Sequence, residues 1–309
     1  MNKKISKTSK IYVAGHKGMV GSACVRLFKS KGYLNLILRS SNELDLTNQQ
    51  SVNDFFKKER PEIVINAAAK VGGIWANNEF PYEFLMENML IQNNLIKASF
   101  DNEVDKFIFL GSSCIYPKMA NQPIIENSLL TGELEETNQW YAIAKISGVK
   151  LIEALRNEYR KDYIALMPTN LYGPGDNYDL NTSHVLPAMI RKFHEAKQNN
   201  TDVTIWGTGT PLREFLHVDD LANAVLFCLE NEMEDHLYNI GSGEELTILE
   251  LANLVSKIVG FNGSILLEST KPDGTPRKLL NSNKINKKGF KSSITLEEGI
   301  KSTYLNYIS

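Results

Sequence analysis

Apolar residues along this chain fall into two kinds of run. The first are short and unbroken: Ile11-Tyr12-Val13-Ala14, Leu36-Ile37-Leu38, a stretch over 61–66, Phe107-Ile108-Phe109-Leu110 and a stretch over 163–167. The second are longer, with apolar positions recurring at helical spacing over 19–31, 48–58, 82–100 and from Tyr141 to about residue 159. A short apolar block bounded by turn residues predicts a strand buried on both faces, and a 3.6-residue recurrence predicts a helix. Their alternation from residue 11 to 167 predicts an α/β fold, a doubly wound parallel sheet with helices on both faces.

After Pro174 the alternation breaks. Residues 177–183 read as a polar loop, with Ser183 placed to cap a helix over about 184–197. A strand over 203–206, a turn over 207–211, a helix over 218–230, a strand of the main sheet over 237–240 and a helix over 247–259 follow, and 271–277 reads as a loop. The expected division is a dinucleotide-binding domain over 10–175 plus about 218–240. A smaller, discontinuous α+β substrate domain takes about 176–217 plus 241–309, and a frayed tail takes 1–9. The helix over 82–100 carries more apolar positions than one stripe needs, among them Phe84, Leu85, Met86, Met89, Leu90, Ile91, Leu95 and Ile96. It is expected to be covered by the sheet on one side and by a second copy of the chain on the other, giving a homodimer packed through it and the Tyr141 helix.

Composition narrows the class without changing this picture. The 309 residues are 42% hydrophobic and 23% charged, the balance of a globular protein with a sizeable core. A net charge of -2 gives no global field for nucleic acid or a membrane surface. Cys24, Cys114 and Cys228 are far apart and odd in number, which suits a reducing cytoplasm and predicts neither a metal site nor a disulfide framework. The lysines at 3, 4, 7 and 10 precede no apolar segment of signal length, and no run approaches membrane-spanning length.

Candidate chemistry sits at the ends of the predicted strands. Gly15, Gly18 and Gly21 follow the first strand at three-residue steps and open the first helix. Strand, glycine turn and helix form the opening of a Rossmann unit. Small residues let the backbone approach a pyrophosphate, and the helix N-terminus supplies N–H groups. Gly15, His16, Lys17, Gly18, Met19, Val20 and Gly21 are thus the expected cofactor cradle. Arg39 ends the second strand, where an acid would favour NAD, and a guanidinium there suits the 2′-phosphate of NADP(H). Asp45 is placed to face the adenine. Ser112 supplies a hydroxyl at the carboxyl end of the fourth strand. Tyr141 and Lys145 lie four apart on a helix and share a face. An ammonium about 4 Å from a phenol is worth about 4 kcal/mol at an effective dielectric of about 20, which predicts a tyrosine able to trade protons near neutral pH.

Together these pieces resemble the extended short-chain dehydrogenase/reductase family, over nearly the whole chain after the tail. The most specific segments are Gly15-His16-Lys17-Gly18-Met19-Val20-Gly21, Ala67-Ala68-Ala69-Lys70-Val71-Gly72-Gly73, Gly111-Ser112-Ser113-Cys114-Ile115-Tyr116-Pro117, Pro168-Thr169-Asn170-Leu171-Tyr172-Gly173-Pro174, Arg213-Glu214-Phe215-Leu216-His217-Val218-Asp219-Asp220 and Lys271-Pro272-Asp273-Gly274-Thr275-Pro276-Arg277. The resemblance implies NADPH-dependent 3,5-epimerisation and 4-reduction of a GDP-linked 4-keto-6-deoxymannose. It makes Tyr141 the proton donor to the C4 oxygen, Lys145 the residue that holds the nicotinamide ribose and tunes the tyrosine, and Ser112 the hydroxyl on the reacting carbonyl. Leu110, Gly111, Ser112 and Ser113, then Pro168, Thr169, Asn170 and Leu171, would line the cofactor with Lys145 and His184. Lys192, Trp206, Arg213 and Asp273 would contact the GDP-sugar.

Cys114 and His184 carry the epimerase part of this expectation. Protons on C3 and C5 are acidic because both carbons flank the C4 ketone, and inversion needs a base on one face and an acid on the other. A thiol and an imidazole titrate close enough to neutrality to share that work. A simple 4-epimerase of the same fold would not need the pair, a dehydratase would place acids just after Ser112, and a non-catalytic NADP(H) sensor would need no proton donor. A cysteine hydrolase would need an orienting residue and an oxyanion turn that the sequence does not offer. His16 lies in the glycine turn, while His194, His217 and His236 read as packing or surface residues. Trp140 and Glu136 stand where relatives carry proline.

Overall fold

Strand and helix alternate through the first half of the chain, which the computed structural model shows as β1 (Ile11–Ala14), α1 (Met19–Ser30), β2 (Leu36–Ile37), α2 (Gln49–Glu59), β3 (Ile63–Asn66), α3 (Ile74–Glu79), α4 (Pro81–Asp101), β4 (Lys106–Leu110), α5 (Gln139–Tyr159) and β5 (Asp162–Pro168). Then follow β6 (Asn170–Tyr172), α6 (Val185–Asn199), β7 (Val203–Trp206), β8 (Leu212–His217), α7 (Val218–Glu230), β9 (Leu237–Ile240), β10 (Glu245–Thr247), α8 (Ile248–Val259), β11 (Ile265–Glu268), β12 (Arg277–Lys278), α9 (Asn283–Asn286) and α10 (Leu296–Ile308). The structure describes residues 5–180, 182–271 and 273–309. Residues 1–4 of the expected tail, Asn181 and Pro272 lie outside the described residues.

Six parallel strands form one sheet in the order β2-β1-β3-β4-β5-β9. Their unbroken apolar runs are explained by burial on both faces. Ile11, Val13, Ile63, Ile65, Ile108 and Ile164 pack with residues of α1 and α7. Their neighbours Tyr12, Val64, Phe107 and Tyr163 pack with residues of α2, α4 and α5 on the other face. Strand order reverses beside β1, so the carboxyl ends of β1 and β3 border the crevice where such sheets hold ligands.

The rest of the chain builds a separate core from α6, α8, β7, β8 and α10. Around β8 lie β10, antiparallel, and β12 and β6, parallel. β7 pairs with β11. The peptide runs repeatedly between this assembly and the main sheet: β5 leads into β6, β8 into α7, β9 into β10, and β12 into α9.

Three details differ from the sequence expectation. The N-cap of α6 is His184 rather than Ser183, and no side chain caps it. Residues 5–9 are not frayed: Ile5 packs against the first core and Ser9 is buried. The expected loop over 271–277 ends in β12, because the backbone of Arg277 and Lys278 pairs with Leu212 and Arg213 of β8. Among the described residues, no helix is long and apolar enough to cross a membrane.

Candidate active site

β1 runs into Gly15, whose φ of +77° lies in the left-handed region. A Cβ there would stand 2.7 Å from the backbone of Ala67 and Ala68 at the end of β3. At Gly21 a Cβ would come within 2.2 Å of the Gly15 carbonyl oxygen. Only hydrogen fits at both positions, and the turn is drawn tight against the start of α1. That helix begins after Gly18 with no side-chain cap, so its first N–H groups are available to an anion. The buried His16 Nδ1 has no partner in the protein. A cradle this narrow, with free donors, fits a dinucleotide pyrophosphate.

Arg39 stands at the end of β2 with its guanidinium engaged: it donates to Glu59 Oε1 at 2.7 Å and to the Leu38 carbonyl at 2.8 Å. Asp45 faces its own turn, accepting from the N–H and hydroxyl of Thr47 at 2.9 and 2.7 Å. Those two bonds hold its carboxyl below the ordinary value.

The carboxyl end of β4 and the first turns of α5 bring the proton-handling groups together. Ser112 caps the short turn Ser113–Ile115, and its Oγ accepts from the Cys114 N–H at 3.3 Å. Lys145 is only 2% exposed. Its ammonium donates to the Leu110 carbonyl at 2.9 Å and lies 5.6 Å from the centre of the Tyr141 ring and 4.8 Å from that of Phe109. α5 lies close on β4 and α4 because Gly148 has no side chain: a Cβ there would meet Phe109 of β4 at 2.5 Å and Gln92 of α4 at 3.1 Å. Gln92 of α4 donates to the Ala144 carbonyl at 2.6 Å and to Ser147 Oγ at 2.8 Å.

One electrostatic expectation is overturned. Lys145 does not bring the Tyr141 phenol down; burial pushes it well up, and the neighbouring Cys114 adds to the rise. Burial instead depresses Lys145, from 10.5 to about 8. The Leu110 carbonyl holds the ammonium, 5.6 Å from the ring centre.

Cys114 is buried, and that burial raises its thiol, while the Lys278 and Lys145 ammoniums and the Ser112 bond work in the opposite direction. His184, at the start of α6, is solvent-exposed; crowding by the protein and then the Lys278 charge keep its imidazole below the usual value. Lys278 therefore acts on both Cys114 and His184, and burial lowers its own pKa, with Cys114 and Glu135 opposing and Arg213 adding to the fall. Arg213 pairs in register with Lys278 across β8 and β12. Trp206 is 63% exposed, with the Lys192 and Lys271 ammoniums 5.8 and 5.4 Å from its ring. Lys192 donates to the Thr204 carbonyl at 3.3 Å. Asp273 is turned onto Thr208, accepting from its N–H at 2.7 Å and its hydroxyl at 2.9 Å, which shapes the turn beyond Trp206.

Two further residues belong to this region. Lys278 follows the quoted 271–277 segment by one position, and nothing local in the sequence separates it from a surface lysine. Glu214 is fully buried, and its carboxylate accepts from Gly243 N at 2.7 Å and Leu280 N at 3.0 Å. Its backbone carbonyl accepts from Asn170 Nδ2 at 2.8 Å and Thr169 Oγ1 at 3.3 Å. The β5–β6, β9–β10 and β12–α9 connections thus meet on one residue. The signal was a charged residue inside an apolar run, Phe215-Leu216 following it.

A parallel sheet with a glycine cradle and a serine, tyrosine and lysine around the end of its fourth strand defines a nucleotide-dependent oxidoreductase fold. The chain belongs to the NAD dependent epimerase/dehydratase family, whose model matches residues 11–241. Within that family the likeness is narrower. The chain is 54% identical over 305 residues to the "Putative GDP-L-fucose synthase 2" of Arabidopsis thaliana, covering 98% of this chain and 93% of that one. Among solved structures, a GDP-6-OMe-4-keto-L-xylo-heptose reductase from C. jejuni matches with a TM-score of 0.94 and 37% identity over 99% of both chains. A GDP-L-fucose synthetase from Naegleria fowleri bound to NADP matches with a TM-score of 0.90 and 28% identity, over 99% of this chain and 96% of that one.

Proposed function

We propose that this protein converts GDP-4-dehydro-6-deoxy-D-mannose to GDP-L-fucose with NADPH, by 3,5-epimerisation followed by 4-reduction. The observation that carries the reading is the cluster at the end of β4: Lys145 held by the Leu110 carbonyl, against the Tyr141 ring, with Ser112 and Cys114 on the adjoining turn. The cradle from Gly15 to Gly21 would hold the pyrophosphate and Arg39 the 2′-phosphate, with Asp45 near the adenine. The backbone segments Leu110–Ser113 and Pro168–Leu171 would line the remainder. Bound NADPH supplies the hydride that reduces C4.

The protein's own groups do the rest. Ser112 accepts from the Cys114 N–H, and its hydroxyl would donate to the C4 oxygen. Removing a proton from C3 or C5 moves charge onto that oxygen, and the Ser112 and Tyr141 hydroxyls stabilise the enolate. Cys114 takes the proton as thiolate, a form that burial disfavours and that the Lys278 and Lys145 charges make accessible. His184 returns a proton on the other face. When C4 is reduced, the alkoxide takes the Tyr141 proton. A phenol whose pKa is raised stays fully protonated until then, as an acid must, and Lys145 then steadies the phenolate.

Trp206 offers an exposed indole ring for the guanine, and Lys192, Arg213 and Lys278 offer cations for the diphosphate. The segments 10–175 with about 218–240 act as the cofactor domain, and about 176–217 with 241–309 as the substrate domain. We assign the enzyme to the cytoplasm and to a homodimer. Tyr82, Met86 and Leu90 of α4 and Ile143, Leu151 and Tyr159 of α5 are exposed in the single chain, which supports pairing through these helices. A monomer in light scattering at micromolar concentration would contradict the dimer. The test of function is incubation with GDP-4-dehydro-6-deoxy-D-mannose and NADPH. GDP-L-fucose is the expected product, and an unepimerised 6-deoxy sugar alone would reduce the protein to a plain ketoreductase.

A further inference from the structure

Among the described residues, no hydrogen bond restrains the His184 ring. Its place is therefore set by the backbone on either side: α6 after it and the turn over 177–183 before it. That turn is tied to itself. Asn177 Nδ2 donates to Thr182 Oγ1 at 2.9 Å, Thr182 N and Oγ1 both donate to Asp179 Oδ1 at 3.1 Å, and Ser183 N donates to the Asp179 carbonyl at 2.8 Å. These bonds link Asn177, Asp179, Thr182 and Ser183 to one another, so contacts from outside bear on where His184 stands.

Among the described residues, contacts on two sides hold this turn. On the side of the main sheet, Gly73 N donates to the Thr182 carbonyl at 2.9 Å, and a Cβ on Gly73 would come 2.9 Å from the Ser183 carbonyl oxygen. On the outer side the Tyr178 ring rests on Tyr307 of α10, centroids 4.4 Å apart and planes tilted by 41°. Arg191 of α6 donates to the Tyr178 carbonyl at 3.1 Å. Tyr307 also meets the His194 ring edge-on at 5.4 Å, and His194 Nδ1 is 3.0 Å from the Tyr304 hydroxyl. The last turn of the chain thus clamps the outer face of the turn that delivers His184.

We propose that Tyr307, through its stack on Tyr178, is a positioning residue for His184, and that the C-terminal helix thereby sets the balance between epimerisation and reduction. The inference rests on the function proposed above. Reduction uses groups on β4 and α5, which the stack does not touch. Proton return at C3 and C5 depends on His184, which it holds. Loosening the outer anchor misplaces one proton-handling group and leaves the others in register.

The experiment uses the full chain with NADPH and GDP-4-dehydro-6-deoxy-D-mannose, reading NADPH oxidation and product sugars. Deuterium uptake at C3 and C5 is read in parallel with NADP+ in deuterium oxide. Tyr307→Leu keeps the helix and apolar bulk but removes the ring face. It should lower complete double exchange by about tenfold or more, the scale of a small misplacement of a reacting group. NADPH oxidation should persist, with partly epimerised sugars appearing among the products. Tyr178→Leu should reproduce this, the double variant should add little, and Tyr307→Phe should behave as wild type. Unchanged products in both leucine variants, or exchange and reduction falling in parallel, would overturn the proposal. Absence of GDP-L-fucose from the wild-type enzyme would instead refute the function on which it rests.

Discussion

Lys145 is a residue kept for chemistry at the expense of the fold, and replacing it with methionine should show this directly. Its ammonium is 2% exposed, and its contacts are the Leu110 carbonyl and two aromatic faces. The depression of its pKa from 10.5 to about 8 corresponds to about 3 kcal/mol of penalty for holding the charge inside the folded chain. The sign follows from proton counts. Between pH 8 and 10.5 the unfolded chain binds more protons at this site than the folded one, so stability rises with pH across that window. Below about 8 both states are charged and the whole penalty is present. Lys145→Met removes it, fills similar volume, and leaves the Leu110 carbonyl without its partner, at a loss of about 1 kcal/mol. The ligand-free variant should therefore be about 2 kcal/mol more stable than wild type at pH 7, with the advantage nearly gone at pH 9.5. Urea unfolding at the two pH values measures both. Saturating NADP+ should reverse the order, because on the proposed function the variant lacks the ammonium that would hold the nicotinamide ribose. Reductase turnover should fall by orders of magnitude. A variant less stable than wild type at pH 7, or a difference that ignores pH, would refute the reasoning.

Tyr141→Phe keeps the ring against Phe84, at 6.5 Å between centroids, but removes the proton donor. NADPH oxidation should fall by about 10²-fold or more while deuterium exchange at C3 and C5 survives, and near-normal turnover would remove Tyr141 from the mechanism. Arg39→Ala should narrow the preference for NADPH over NADH by about tenfold or more, the scale of one charge-assisted phosphate contact; equal wild-type use of both cofactors, in steady-state assays, would dismiss Arg39 as the selector. Gly21→Ala forces a methyl to 2.2 Å from the Gly15 carbonyl oxygen, so it should destabilise the fold by about 2 kcal/mol or more and weaken NADP+ binding in calorimetry. Unaltered binding and stability there would mean that the turn relaxes freely.

What the sequence showed and what it hid divide on physical lines. β1, β3, β4 and β5 are buried on both faces, so their composition alone marks them. β8 was hidden because it interleaves Arg213 and Glu214 with apolar residues, and its partners β6, β10 and β12 are short and distant in sequence. α10 was legible and passed over: Thr295 and Glu298 form a capping box at its start. In the site, the glycine cradle and the Tyr141/Lys145 face follow from local spacing. The sign of the tyrosine's shift does not, because desolvation and the placement of Leu110's carbonyl are properties of the folded chain. Arg39's engagement with Glu59 was equally out of reach, since the two are brought together only when α2 packs beside β2.

The alternation of side chains along β8 explains how a chain of net charge -2 can gather an anion site. Successive residues of a strand face opposite ways. Arg213 sits across from Lys278, while Glu214 points inward, where two backbone N–H groups occupy its carboxylate. An acid is thus adjacent in sequence to the arginine and is consumed elsewhere. Asp273 accepts from Thr208 while its charge still supports Arg213, and Glu135, 3.1 Å from Lys118, acts on Lys278. Burial works against the charged forms of Arg213, Lys192 and Lys278 alike. On the proposed function, a diphosphate held by these groups would offset that penalty. Of the three cations, Lys278 also acts on Cys114, where its charge works against the burial that raises the thiol.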